Sequence, residues 1–298
     1  MGAYIFSADE QAVIAREFGA DFYEHMKETL ELCAEKWHLS VSSLLPYFSV
    51  NCVFTCRSAQ YGDAVLKIGR KPAEAVTEAG VLTEYNGRRF CKLYEFDRTN
   101  GALLIERLSP GQNLFYKTNS GQRIDAFAKL YHGLHNESQK PGDYPTYRGW
   151  IDRFISLAEK REDIKAHGHM ALQLYDEIAQ TYTKKMLLHG DLHHENILSD
   201  GADYRIIDPK GVIGDPVFEC SRFILDEFGD KLKPSNHTDI IDFTKKLGES
   251  TAIPPDVLLK CMYIETVIWM GEDLFYFNWL DKLMVDNTVQ AEMLMKLL

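Results

Sequence analysis

The sequence predicts an α+β chain in two lobes, a small β-rich N-lobe (residues 1–108) followed by a larger, mostly helical C-lobe (residues 109–298). Three observations carry this. The apolar runs between Asn51 and Leu108 are short, bounded by turn residues and interrupted by one helical pattern. After Pro110-Gly111 the periodicity turns helical and stays so except at two brief apolar runs. A length of 298 residues suits two bodies at ~150 residues each, and 45% hydrophobic with 26% charged residues is a folded, globular composition.

The elements follow in order. Ala8 to Glu35 has the apolar spacing of a helix. Asn51–Arg57 and Ala64–Gly69 read as strands around the turn Ser58–Asp63. Pro72 to Tyr85 reads as a helix, with Pro72 where a first helical residue belongs and Asn86-Gly87 as the stop. Phe90–Phe96 and Ala102–Leu108 read as strands on either side of the turn Asp97–Gly101. Leu108–Gln112 is the expected hinge. Ile124–Leu134, Trp150–Lys160 and Met170–Thr183 read as helices. Met186–Leu188 and Tyr204–Ile207 are short apolar runs flanking a polar loop, and from Ser221 the chain is again mostly helical.

Charge and targeting signals narrow the function classes. Lys+Arg 33 against Asp+Glu 44 gives a net charge of −11, with no basic run to neutralise nucleic-acid phosphates. Met1 to Gln11 has no basic region followed by an apolar run, so no secretory signal is expected there, and Phe6 stands where a myristoylation motif wants Ser or Thr. Met262 to Leu280 is the most apolar long stretch, but Glu265, Glu272 and Asp273 interrupt it at a density that excludes a membrane span. The six cysteines form no C-x-x-C pair and read as reduced core thiols, which makes the cytoplasm the expected compartment. No G-x-x-x-x-G-K-[ST] sequence occurs, which excludes a P-loop nucleotide site.

The most informative segment is His189-Gly190-Asp191-Leu192-His193-His194-Glu195-Asn196, with apolar flanks Met186–Leu188 and Ile197-Leu198. Such flanks anchor a loop whose polar residues face a cleft. Asp208 ends the next apolar run, twelve residues after Asn196. Two acids and an amide offer oxygen ligands of the kind Mg²⁺ takes, and an acid that can orient a hydroxyl. His189, His193 and His194 lack a cysteine or a fourth nearby ligand, so zinc is not expected. His189 is expected to pack under the loop, and His132 and His135 to be ordinary core or surface histidines.

The spacing H-G-D-x-x-x-x-N resembles the catalytic loop of the protein-kinase-like phosphotransferases in their small-molecule form. Asp208-Pro209-Lys210-Gly211, with Gly214-Asp215-Pro216 after it, is most similar to the aminoglycoside/hydroxyurea antibiotic resistance kinase family. Leu103–Gly111 also resembles that family's hinge strand. The resemblance runs from Lys67 to about Glu219. It implies a protein-kinase-like two-lobed fold, ATP and Mg²⁺ as nucleotide and metal, and a small-molecule hydroxyl as acceptor. It further implies that the backbone of Glu106 and Leu108 takes the adenine, that Asn196 and Asp208 hold the metal, and that Asp191 acts on the hydroxyl.

Such a fold also wants a strand lysine paired with a helix glutamate. Ala64-Val65-Leu66-Lys67 is a strand ending in lysine. On the following helix Ala75, Glu78, Ala79 and Leu82 share a face, so Glu78 is the expected partner of Lys67, with Glu74 as its rival. Two departures stand out. Leu44 to Val50 contains no glycine, so the phosphate-covering turn is expected to use other small residues, Ser49 and Asn51. Glu219 stands where the family usually has Asp.

The acceptor is read from charge. Glu219 to Leu298 holds 14 acids against 8 bases, more than half of the net charge in about a quarter of the chain. Glu265, Glu272 and Asp273, near Tyr263, Trp269 and Tyr276, are the candidate ligands for a cationic, aminoglycoside-type acceptor. The competing readings are a metabolic kinase for an amino-alcohol or sugar, and a non-catalytic nucleotide-binding pseudokinase. A protein kinase is disfavoured, because Asp208–Asp215 is too short for an activation segment and no A-P-E follows.

Overall fold

The computed structural model describes residues 4–46, 51–117, 119–159, 161–229, 232–276 and 281–298, and the side chains of these except 163, 234, 272–276 and 281–286. The chain forms two compact units. One is Met1–Gly111 with Ser199–Lys210, the other Gln112–Leu198 with Gly211–Leu298.

The first unit begins with α1 (Ala8–Phe18) and α2 (Ala20–Lys36). Ser7 and Glu10 form a reciprocal capping box that satisfies two amide donors at the start of α1. The single helix expected over Ala8–Glu35 is in fact two, because Gly19 takes φ +96°, a backbone state that breaks a helix and suits glycine. Then come β1 (Leu39–Leu44), β2 (Asn51–Ser58), β3 (Gly62–Gly69), α3 (Pro72–Tyr85), β4 (Leu93–Asp97) and β5 (Ala102–Glu106). They form an antiparallel sheet of order β1-β2-β3-β5-β4. Strand β1 escapes the sequence reading because three of its six residues are serine, which carries little strand signal.

Strand parity divides the sheet's two faces. Cys52, Phe54, Cys56, Ala64, Leu66, Ile68, Ala102 and Leu104 point one way and pack with Phe22, Met26, Leu30 and Trp37 of the N-terminal segment. Val53, Lys67 and Leu103 are register partners one step out of phase, and so belong to the other face, where α3 lies.

The chain leaves this unit through β6 (Pro110–Asn113) and, after β7 (Met186–Leu188), regains it along β8 (Ile197–Asp200) and β9 (Asp203–Ile206). Within the unit, Cys91 N–H donates to the Ile206 carbonyl at 2.9 Å, and Ile206 N–H donates to the Arg89 carbonyl at 2.9 Å. Arg205 is held by Glu106 at 2.8 Å, by Asp200, and by the carbonyls of Gly87 and Phe90. These bonds fix the backbone two residues before Asp208.

The second unit is helical: α4 (Ser120–Tyr131), α5 (Tyr147–Ala158), α6 (Glu162–Ile178), then β10 (Val212–Gly214) antiparallel to β7, then α7 (Cys220–Glu227), α8 (His237–Thr251), α9 (Pro255–Tyr276) and α10 (Asp281–Met295). Asn119 and Thr146 cap α4 and α5 through their side chains. Helix α9 packs against α5, α6, α7, α8 and α10. Cys261, Met262, Ile264, Val267 and Ile268 are therefore buried around its whole circumference, which is why the segment reads as so apolar. Among the described residues no helix is long and apolar enough to cross a membrane. All six cysteines are free and buried.

Candidate active site

Lys67 is 5% exposed, and a buried ammonium needs compensating charge. Its Nζ donates to Glu78 Oε1 at 2.6 Å and Oε2 at 2.8 Å, and to Asp208 Oδ1 at 2.5 Å. Glu78 reaches it because it lies on the buried face of α3 with Ala75, Ala79 and Leu82. Glu74 points elsewhere and pairs with Lys71 at 3.2 Å. Burial opposes the charge on Lys67, but the two carboxylates outweigh it and hold the ammonium charged beyond its usual range. Burial pushes the Glu78 carboxyl up to about 7, against the pull of Lys67 and with the negative charge of Asp208 adding to the rise.

Asp208 has φ +61°, a left-handed conformation that a non-glycine residue keeps only where its surroundings impose it. The backbone leading into it is pinned at Ile206, and its carboxylate is held by Lys67. The Asp208 side chain is 40% exposed, unlike those of Lys67 and Glu78 at 7%. Its carboxylate is thus the solvent-facing member of the trio.

At the expected adenine strand, Glu106 N–H donates to the Lys92 carbonyl at 2.9 Å, and the Glu106 carboxylate binds the Lys92 amide and Arg205. Leu108 is 6% exposed. Asn51 stands opposite Gly69 in the ladder, and its Oδ1 lies 2.6 Å from where a Gly69 Cβ would be. Ser49 lies outside the described residues.

In the second unit the H-G-D loop is built on the β7–β10 ladder, and Gly211 N–H donates to the His189 carbonyl at 3.0 Å. Gly190 has φ +80°, and a Cβ there would lie 2.8 Å from Trp150 and 2.9 Å from Val212. Only glycine fits. His189 is fully buried, and its Nδ1 accepts from Asp191 N–H at 3.0 Å. Glu219, 2% exposed, accepts from the amides of His189 at 2.8 Å and Gly190 at 2.9 Å and meets His135 Nε2 at 3.2 Å. Burial alone would raise the Glu219 carboxyl, but His135, His189 and the Gly190 amide together hold it below its ordinary value. The longer side chain in place of aspartate thus fixes two successive backbone amides of the loop. His135, expected to be an ordinary histidine, is its partner.

Asn196 Nδ2 donates to the Asp191 carbonyl at 3.0 Å, which ties both ends of the loop together and turns the amide oxygen of Asn196 the other way. Asp191 Oδ1 accepts from Arg222 Nε at 3.1 Å. His194 is fully buried between the rings of Phe115 and Phe223, with Asp226 at Nδ1 (2.8 Å) and Glu227 at Nε2 (3.0 Å). His132 is exposed and bonds the Ser250 carbonyl.

The expected acceptor ligands fare differently. Glu265 is 2% exposed, and its carboxylate is taken by Tyr147 Oη, Trp269 Nε1 and Ser221 Oγ. Glu265, read as a candidate acceptor ligand, instead sits in the interior through which α9 runs, and its carboxylate is taken there by side-chain donors. The side chains of Glu272, Asp273 and Tyr276 lie outside those described. Arg222, Asp226 and Glu227 carry no motif signal. Only their place on α7, in a run otherwise apolar, marks them in the sequence.

Among the described residues a polar constellation lies in each unit, and each contains residues matched to kinase motifs. A sequence model of the aminoglycoside/hydroxyurea antibiotic resistance kinases matches residues 36–272. The chain belongs to that family. It is 33% identical over 163 residues to the streptomycin 3''-kinase of Klebsiella pneumoniae, covering 52% of this chain and 58% of that one. It is 26% identical over 219 residues to the hydroxyurea phosphotransferase of Kitasatospora aureofaciens, covering 70% and 64%. The chain thus spans about three fifths of the length of these curated relatives. Choline kinase LicA from Streptococcus pneumoniae superposes with a TM-score of 0.69 at 14% identity over 92% of this chain and 100% of that one, and LicA in complex with AMP does so at 0.63. This likeness establishes the protein-kinase-like α+β fold. Helices α1 and α10 and all of α2 except Lys36 lie outside the matched span, although α1 and α2 supply much of the core beneath the sheet.

Proposed function

We propose that this family member is an ATP-dependent phosphotransferase that moves the γ-phosphoryl group to a hydroxyl of a small cationic molecule of the aminoglycoside type. The observation that carries the reading is Lys67 held between Glu78 and Asp208. A buried, permanently charged ammonium with a carboxylate clamp on one side and a half-exposed carboxylate on the other suits a site that exchanges one carboxylate for phosphate oxygens.

Lys67 then contacts the α- and β-phosphates, and Glu78 keeps it in place. The backbone of Glu106 and Leu108 takes the adenine. The carboxylate of Asp208 and the amide oxygen of Asn196 are hard oxygen donors of the type magnesium accepts, and these residues would hold the ion. Magnesium, when bound, neutralises charge on the phosphoryl oxygens. Asp191 orients the acceptor hydroxyl and takes its proton as the new O–P bond forms, the bond from the γ-phosphorus to the bridging oxygen breaks, and ADP departs. Most of the acceleration is positioning and electrostatics. The preference for a cationic acceptor rests on the acidic balance of residues 219–298. The buried free thiols suit the reducing cytoplasm.

The test is ADP release from Mg·ATP across a panel of streptomycin, other aminoglycosides, hydroxyurea and amino-alcohols, with Asp191→Asn as control. Release that depends on an aminoglycoside and is lost in the variant supports the reading. Release with an amino-alcohol alone replaces the acceptor class, and ATP binding without release from any acceptor favours a pseudokinase.

A further inference from the structure

The Asp191 carboxylate is held by a side chain that no kinase motif supplies. Arg222 Nε donates to Asp191 Oδ1 at 3.1 Å, and the two side chains are 11% and 14% exposed. The guanidinium lies over the indole of Trp269, 4.7 Å from the ring centroid. The indole is itself fixed, because Trp269 Nε1 donates to Glu265 Oε1 at 3.0 Å. Glu265 in turn receives Tyr147 Oη and Ser221 Oγ on its other oxygen. A buried carboxylate with these donors is rigid, and it lends that rigidity to the ring and so to the guanidinium plane. From the α9 interior to the catalytic loop, each group orients the next.

We propose that Arg222 is a positioning residue of the phosphotransfer. It fixes the plane of the Asp191 carboxylate, with Trp269 and Glu265 fixing Arg222. The inference rests on the functional reading above. The backbone of Asp191 is already tied at both ends, its amide by His189 and its carbonyl by Asn196. What the backbone leaves unset is rotation of the carboxylate, and a planar charged donor that is stacked on one face sets it. Lysine at this position has charge but no plane to stack and no fixed Nε–H. Glu265 thereby affects the reaction without touching the acceptor.

The test uses the full chain with Mg·ATP and streptomycin. Arg222→Gln is expected to lower kcat about 10- to 100-fold, the worth of one charge-assisted hydrogen bond, with the KM for ATP within about twofold. Arg222→Lys recovers little of this. Millimolar guanidinium added to Arg222→Ala restores part of kcat, and urea at the same concentration does not. Trp269→Phe, which keeps an aromatic face but loses the indole N–H, lowers kcat about two- to fivefold and guards against a folding defect at position 222. A merely structural role would lower the active fraction without guanidinium rescue. Absence of ADP release by the unmodified protein strikes the functional reading. Release that Arg222→Gln retains within about twofold, or a loss that guanidinium leaves unmoved, overturns the inference alone.

Discussion

Lys67 and Asp208 are 141 residues apart in the chain, yet the Lys67 ammonium touches the Asp208 carboxylate at 2.5 Å within one compact unit. The contact exists because Ser199–Lys210 returns to the sheet unit and is bonded there through Ile206 and Arg205. Glu78 completes the cluster from α3.

The cluster makes Glu78 the support of Lys67. Glu78→Gln keeps the shape and removes the charge that offsets the buried ammonium. It is expected to lower kcat/KM for ATP at least about tenfold while the far-UV circular dichroism stays native. Steady-state kinetics with varied ATP checks this, and an unchanged kcat/KM contradicts it. Glu74→Gln, on the outer face, is expected to leave the constant unchanged.

Asp191→Asn is expected to lower kcat by about 10²–10⁴ with the KM for ATP within about threefold, since the residue is assigned to the acceptor and not to the nucleotide. Initial rates at saturating ATP are the measurement. A variant with near-normal turnover removes Asp191 from the reaction.

Gly190→Ala is expected to destabilise the second unit by about 1–3 kcal/mol. The new Cβ meets Trp150 and Val212 at under 3.0 Å, and the residue needs φ +80°. Urea unfolding reads the loss. An unchanged midpoint means that the loop is held more loosely than its bonds indicate.

Acid stability follows from Glu219. Its folded carboxyl titrates below the ordinary 4.5, so the unfolded chain binds a proton first as pH falls. Its contribution is fully present above about pH 4.5 and is lost as pH drops through the lower folded value. Glu78 has the opposite sign: raised to about 7, it favours the folded state less as pH rises from 4.5 through that value. The acid window below 4.5 therefore reports Glu219 and other depressed carboxylates such as Asp226 and Glu227. Glu219→Gln is expected to flatten stability against pH in that window and to be less stable at neutral pH, as read by urea midpoints. A variant whose pH slope matches the unmodified protein contradicts the assignment.

The order from β2 to β5 was legible because each of these elements carries a local signal: Pro72 opening α3, Asn86 and Gly87 closing it, and strands set off by polar turns. The choice of Glu78 over Glu74 was legible from helical phase alone, because only one of them shares a face with Ala75 and Leu82. What the chain concealed is long-range. The return of Ser199–Lys210 to the sheet unit depends on Ile206 meeting Arg89 and Cys91, pairings with no sequence period. Arg222 meets Asp191 only because α7 packs beside the loop. Glu265 read as an acceptor ligand because its buried partners Tyr147 and Ser221 come from segments distant in the chain. Gly19 split the first helix, and a helical period tolerates an isolated glycine until its φ is known.

The reaction proposed for this chain is transfer of a phosphoryl group to a small-molecule hydroxyl. The most direct measurement is transfer of label from γ-labelled ATP, with magnesium, to streptomycin and to the other acceptors of the panel, followed by isolation of the acceptor. Label is expected on an aminoglycoside hydroxyl and is expected to be lost with Asp191→Asn and with magnesium removed. Label that appears only in inorganic phosphate, or that reaches the acceptor equally well in the Asp191→Asn variant, would contradict it.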